Sequence, residues 1–276
     1  MKTMIVPVDF SLTSINAAEY AAQMAKQAQV EKILLYYTYG GSYQILDDGV
    51  DIVRAEANSQ LQHLADTLIP LAGQDIKLEL IAGDGFLIEE VLKLVEKHKA
   101  DLIVMGITGK NTIEQKLIGS NTLRIASDSP CPVLIVPSKA KFEHVKNVAL
   151  SMKFKAGILD ETPYEGIKSI IKDLNANLVI LNVADESHRV NPQNIQSGLT
   201  ATHLMFDDVH AKIEFIGEED VVAHVSHYIN NNEIQMLLSI THKLGFLASL
   251  FKGSVTKQLA FYTNVPLMVF KAIETD

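Results

Sequence analysis

The sequence predicts an α/β fold, built as two tandem open five-stranded parallel sheets with helices on both faces. Three observations lead there. Short apolar runs rich in Val, Ile and Leu alternate with longer amphipathic stretches, the pattern of a parallel sheet covered by helices. The order of elements in the first half recurs in the second. The period, close to half of the 276 residues, is too long for a solenoid and suits two similar domains.

In the first half, Ile5-Val6-Pro7-Val8 reads as a strand closed by Asp9, and Ser14 to Ala28 as an Ala-rich amphipathic helix. Lys32 to Tyr37 is the second strand and Asp51 to Leu71 the long helix after it. Ile76 to Ile81 and Phe86 to His98 form the third strand and its helix. Leu102 to Met105 is a fourth, buried strand, followed by the glycine-containing loop Gly106 to Asn121, a helix from Ser120 to Ser127, and a fifth strand from Pro132 to Val136. The second half repeats this with strands at Asn147 to Leu150, Leu178 to Val183, Lys212 to Ile216, Gln235 to Ile240 and Pro266 to Val269. Gly253-Ser254 repeats Gly119-Ser120, and Pro266 repeats Pro132, each at an offset of 134. The expected domains are 1–138 and 144–276, joined by the polar stretch Ser138 to His144.

Composition narrows the function classes. Apolar residues are 47% of the chain, enough for sizeable cores, and the net charge of −9 argues against a general nucleic-acid or anionic-membrane binder. Cys131 is the single cysteine, which excludes an intrachain disulfide and a Cys-based zinc site within one chain. The N-terminus runs straight into a strand, without the apolar core and cleavage site of a signal peptide, and no apolar run reaches membrane-spanning length. The expectation is a cytoplasmic protein.

The loop GITGKNTIEQKLIGSN, residues 106–121, carries the chemistry. Glycine lets backbone approach a ligand closely, and a helix N-terminus presents unpaired amides to an anion. It is not a Walker A loop, which needs GxxxxGK followed by Ser or Thr. It is not the GxGxxG dinucleotide fingerprint either, because Val8-Asp9-Phe10-Ser11 after the first strand holds no glycine. The spacing is Gly, two residues, Gly, nine residues, Gly-Ser.

That spacing after a fourth strand, with an Asp closing strand one and a Pro-initiated fifth strand, resembles the ATP-binding subgroup of the universal stress protein family in tandem form. The resemblance implies an adenine nucleotide alpha hydrolase-like fold and a nucleotide across the carboxyl ends of strands one and four. It implies Pro7, Val8 and Asp9 at the adenosine end and the backbone of Tyr37 at the adenine edge. Met105, Gly106 and Gly109 would face ribose and first phosphates, and Gly119, Ser120, Asn121 and Thr122 the later phosphates. The Tyr37 ring departs from the small aliphatic residue common there, and either stacks on adenine or blocks it. Asp9 has an alternative role as a turn or helix cap with Ser11 and Thr13. The ligand implied is ATP, ADP or AMP, with Mg²⁺ bridging phosphates; no catalytic residue emerges, so the activity is at most a weak ATPase. The function implied is a nucleotide-dependent regulatory or sensor module in stress response with an unknown protein partner. The other reading is a nucleotide-independent scaffold, with a different ligand in the second domain. Apolar fifth strands imply intrachain pairing of the two domains and a further homodimer.

The second half departs from the motif. Lys153 falls near the place of Asp9, Ser239 and His242 stand for Gly106 and Gly109, and the loop before Gly253 reads as one residue longer. ATP is therefore not expected there in the same way. Six of the nine histidines fall between residues 188 and 242, with His224 and His227 on one helix face, but no metal motif such as HExxH accompanies them.

Overall fold

The computed structural model describes residues 1–39, 50–107, 120–183, 191–216, 221–241 and 265–274. The chain divides into two compact units, Met1–Phe142 and Glu143–Asp276.

In unit 1, β1 (Thr3–Pro7), β2 (Lys32–Thr38), β3 (Lys77–Gly83), β4 (Leu102–Ile107) and β5 (Val133–Pro137) pair in the order β3-β2-β1-β4-β5, every pair parallel. Helices α1 (Leu12–Gln27), α2 (Val50–Ala72), α3 (Leu87–His98) and α4 (Ser120–Asp128) connect them. The centre of the sheet is wholly apolar: Met4, Ile5, Val6, Leu34, Leu102, Ile103 and Leu134 are fully buried. Helix α1 meets the sheet through Ala17, Ala18, Ala21, Ala22 and Ala25, small side chains that let it lie close. Ser11 caps it, its side chain accepting from the Ser14 amide.

The chain moves outward from β1 through β2 to β3, then returns to build β4 and β5 on the other side. The order therefore reverses between β1 and β4, the place where open α/β sheets hold ligands beyond their strand ends. Pairing of β1 with β4 covers only Met4↔Leu102 and Ile5↔Ile103, whereas β1 and β2 stay paired to Pro7↔Tyr36. Pro7 explains the early stop. The Val8 amide donates to the Tyr36 carbonyl on the β2 side, so by the alternation of a strand residue 7 addresses β4. Proline has no amide proton to offer there.

Residues expected to belong to the interdomain junction are held by unit 1. The Asn16 side-chain amide donates to the carbonyls of Pro137 (3.2 Å) and Ala140 (3.0 Å), and Lys141 Nζ donates to Asn16 Oδ1 at 3.0 Å. The Phe142 ring meets Tyr20 edge-on at 5.2 Å. The division between the units lies within the expected junction, and its first residues are tied to α1 by the buried Asn16.

Unit 2 contains β6 (Asn147–Met152), β7 (Asn177–Val183), β8 (Ala211–Ile216), β9 (Met236–Thr241) and β10 (Leu267–Lys271), in the matching parallel order β8-β7-β6-β9-β10. Its helices are α5 (Ile158–Glu161), α6 (Tyr164–Leu174), α7 (Pro192–Phe206) and α8 (Val221–Asn231). Where unit 1 has one long α1, unit 2 has two helices broken at Thr162-Pro163. Among the described residues, no helix is long and apolar enough to cross a membrane.

Candidate functional site: a crevice at the β1–β4 switch point

A cavity of about 230 Å³ opens where β1 and β4 cease to pair. Pro7, Val8 and Asp9 come from the end of β1, Tyr37 and Thr38 from the end of β2, Met105 and Gly106 from β4, and Asn121 and Thr122 from the start of α4. Eight of the eleven residues expected from sequence thus line one cavity. Ser120 is the first residue of α4. Gly109 and Gly119 lie outside the described residues, as does the rest of the loop between them.

Asp9 is both a turn residue and a cavity residue, so the two roles weighed from sequence coexist. Its Oδ1 accepts from the Ser11 amide at 3.0 Å, and its own amide donates to Ser14 Oγ at 3.3 Å. Partial burial pushes the Asp9 carboxyl up, but the Ser11 and Ser14 side chains, with the amides of Ser11 and Asp9, outweigh it. The net pKa is below the ordinary carboxylate value, so Asp9 is ionised at neutral pH. It is also the sole charged side chain among the described residues that line the cavity. An ionised carboxylate accepts hydrogen bonds from hydroxyls and repels phosphate. The α4 N-terminus, which contributes Asn121 and Thr122 to the lining, favours an anion. The cavity is therefore polarised, lined by an anionic acceptor from β1 and by an anion-attracting helix start.

Gly106 is required for space. A Cβ there would stand 2.5 Å from the Thr13 carbonyl oxygen and 2.7 Å from Thr13 Cγ2. Thr122, expected near the later phosphates, is buried, and its hydroxyl donates to the Gly106 carbonyl at 3.4 Å. It ties α4 to the end of β4.

Sequence reasoning missed several lining residues: Ser14, Thr38, Leu87 and Ile107, while Ser11 and Thr13 entered only as cap helpers. A run of hydroxyl residues directly after Asp9 was a usable signal for Ser14. Nothing local marks Leu87, which reaches the cavity from the start of α3.

Strand register corrects the alignment of unit 2. The pair Met4↔Leu102 in unit 1 corresponds to Val148↔Met236 in unit 2, and Ile103↔Val133 to Leu237↔Leu267. Asp9 then falls on Lys153, but Gly106 falls on Ile240, not Ser239, and Gly109 on Lys243, not His242. The interval from Gly106 to Gly119 equals that from Ile240 to Gly253, so the loop is not longer. An undetected one-residue slip on a continuously apolar strand caused the error.

At the described residues, the ends of the central strands of unit 2 are arranged differently. Pairing of β6 with β9 runs on to Ser151↔Ser239, and Ser151 holds the place of Pro7. Phe154 is 4% exposed and packs where a Cβ on Gly198 of α7 would stand 2.2 Å from its ring. His224 and His227 lie on α8, with His227 Nε2 2.8 Å from the Asn231 side chain; His188, His242 and Gly253-Ser254 lie outside the described residues. Among the described residues no three His, Cys, Asp or Glu side chains gather as a metal site.

The arrangement in unit 1 defines an open α/β protein with a polarised crevice at the strand-order reversal. Comparison with known proteins agrees. The universal stress protein family model matches residues 1–137. A universal stress protein of Methanocaldococcus jannaschii is 31% identical over 149 residues, covering 51% of this chain and 84% of that protein. One from Synechocystis is 25% identical over 265 residues, covering 91% of this chain and 88% of the relative. The crystal structure of a universal stress protein from Archaeoglobus fulgidus matches at TM-score 0.71 and 20% identity, covering 98% of each chain, which extends the shared fold across both units. The chain belongs to the universal stress protein family.

Proposed function

We propose that unit 1 binds an adenine nucleotide, and that occupancy makes this protein a nucleotide-dependent regulatory or sensor module in stress response. The observation that carries the reading is the polarised crevice between β1 and β4. Asp9 suits ribose hydroxyls, and the start of α4 suits phosphate. The cavity is smaller than the 300–1,000 Å³ of typical ligand pockets, and it suits the nucleoside part, with phosphates running toward α4. A Mg²⁺ ion would sit chiefly on phosphate and water, because Asp9 is the only carboxylate among the described lining residues. No described lining residue other than Asp9 is equipped as a general base, so any ATP hydrolysis is slow. For a switch, ATP must bind one conformation more tightly than another.

The scaffold reading is favoured for unit 2 alone, by the extended β6–β9 pairing and the buried Phe154. The test is to identify the nucleotide released by heat-denatured protein, and to titrate ATP into wild type and Asp9→Ala by calorimetry. One adenine nucleotide per chain, weakened in the variant, supports the reading. Absence of any bound nucleotide together with no ATP binding would sink it, and two equal sites would refute the assignment of unit 2.

A further inference from the structure

Tyr37 is the one aromatic side chain among the described residues that line the cavity. Behind it stands Phe10, its ring centroid 4.7 Å from that of Tyr37 and tilted by 57°. Phe10 does not itself line the cavity. It sits at φ 59°, the left-handed region that bulky residues avoid unless their surroundings over-determine it. Here both flanks are fixed. Asp9 Oδ1 accepts from the Ser11 amide, the Asp9 amide donates to Ser14 Oγ, and Ser11 Oγ accepts from the Ser14 amide at 3.2 Å. The turn that holds the anionic acceptor of the cavity thus also swings the Phe10 ring against Tyr37.

Unit 2 shows that the fold itself does not require this ring pair. Phe154 occupies the register position of Phe10, yet it is not left-handed and lies buried against Gly198. Asn182 occupies the position of Tyr37, and its Oδ1 accepts from the Phe154 amide at 3.0 Å. The Phe154 ring meets Phe215 edge-on at 6.1 Å. Helix α2 of unit 1 carries no glycine, so the hole that admits Phe154 has no counterpart for Phe10.

We infer that Tyr37, positioned by Phe10, is an aromatic wall on which the base of the ligand stacks. The inference rests on the nucleotide reading of the same cavity and adds which side chain receives the base and which residue holds that side chain in place. Phe10 is a positioning residue acting through Tyr37. Base-on-aromatic stacking is strong enough for its loss to be read as roughly a tenfold weakening.

The experiment uses the full chain stripped of nucleotide. The probes are etheno-ATP, followed by its fluorescence, and ribose 5-triphosphate, which lacks a base, followed by calorimetry. The chain has no tryptophan to overlap the signal. Tyr37→Phe is expected to bind etheno-ATP within about twofold of wild type, since it keeps the ring. Tyr37→Leu is expected to weaken etheno-ATP about tenfold and leave ribose 5-triphosphate unchanged. Phe10→Leu is expected to show a smaller loss, again confined to the base-bearing probe. Equal weakening of both probes in Tyr37→Leu, or no weakening of either, overturns the wall while leaving the nucleotide site in place. Wild type binding neither probe overturns the site and the wall together.

Discussion

Gly106→Ala should break the junction between β4 and α1. The added Cβ would lie 2.5 Å from the Thr13 carbonyl oxygen, 2.7 Å from Thr13 Cγ2 and 2.9 Å from the Thr13 carbonyl carbon. Two of these three atoms are backbone, so no rotamer change relieves the clash. Overpacking costs about 1–3 kcal/mol, and a backbone clash at a helix start belongs in the upper part of that range, about 2–3 kcal/mol. The chain has two units, so a single denaturation midpoint is a poor measure. Native-state hydrogen exchange reports the α1 amides directly, and their protection should fall roughly 30- to 150-fold. Gly73→Ala is the control: Gly73 has φ 97° but nothing within 4 Å of an added Cβ, so it tests backbone strain without a clash. Adding Thr13→Ser to Gly106→Ala removes Cγ2 but not the carbonyl, and should recover only a minor part. Protection in Gly106→Ala within threefold of wild type would refute the steric argument.

Pro7→Ser supplies the amide that β4 lacks and should extend β1–β4 pairing, weakening ATP binding at least several-fold by calorimetry while amide protection in β1 rises. Gly198→Ala drives a Cβ to 2.2 Å from Phe154 Cγ and should destabilise unit 2 by about 1–3 kcal/mol, read by exchange of α7 amides; Phe154→Leu in the same chain should return part of it. The His98 pKa is held below its ordinary value by burial first and by Lys32, whose Nζ lies 3.3 Å from Nδ1, with Glu79 opposing. The unfolded chain therefore takes up this proton first as pH falls below about 6.5, and the stability His98 contributes above that pH is lost toward its lower folded value. His98→Gln should flatten the urea-denaturation midpoint of unit 1 between pH 7 and pH 5, and an unchanged slope would reject this account.

Fold class was legible because alternation of apolar runs and amphipathic stretches is a long-range signal that survives small errors in element boundaries. Pro7, Asp9 and Met105 were expected through the family resemblance, and the strand order accounts for their meeting at one cavity, because it sets the ends of β1 and β4 side by side. Leu87 was not legible, since only the path of the chain from β3 into α3 carries it to the cavity. The Ser239 assignment failed for a different reason: Met236-Leu237-Leu238-Ser239-Ile240 has no alternation to fix its register against β4, and only backbone pairing settles it. The division between the units falls within the expected junction Ser138 to His144, but composition does not reveal that Asn16 binds the Ala140 carbonyl there.

The two units differ at positions that act together, which constrains how unit 2 can be reopened. Pro7 against Ser151 decides how far the central strands pair. Gly106 against Ile240 decides what the end of the fourth strand presents, and the position of Thr13, whose carbonyl crowds Gly106, is held in unit 2 by Gly157 at φ 75°. That left-handed turn gives the chain a different path into α5. Phe10 against Phe154 decides whether an aromatic ring backs a cavity or fills the interior. Restoring glycine by Ile240→Gly therefore changes one wall while the Ser151↔Ser239 ladder and the buried Phe154 remain. The expected result is no gain of ATP binding by unit 2, measured as unchanged stoichiometry per chain. A second ATP site appearing in Ile240→Gly would mean that the glycine alone had governed access and that ladder and plug were incidental.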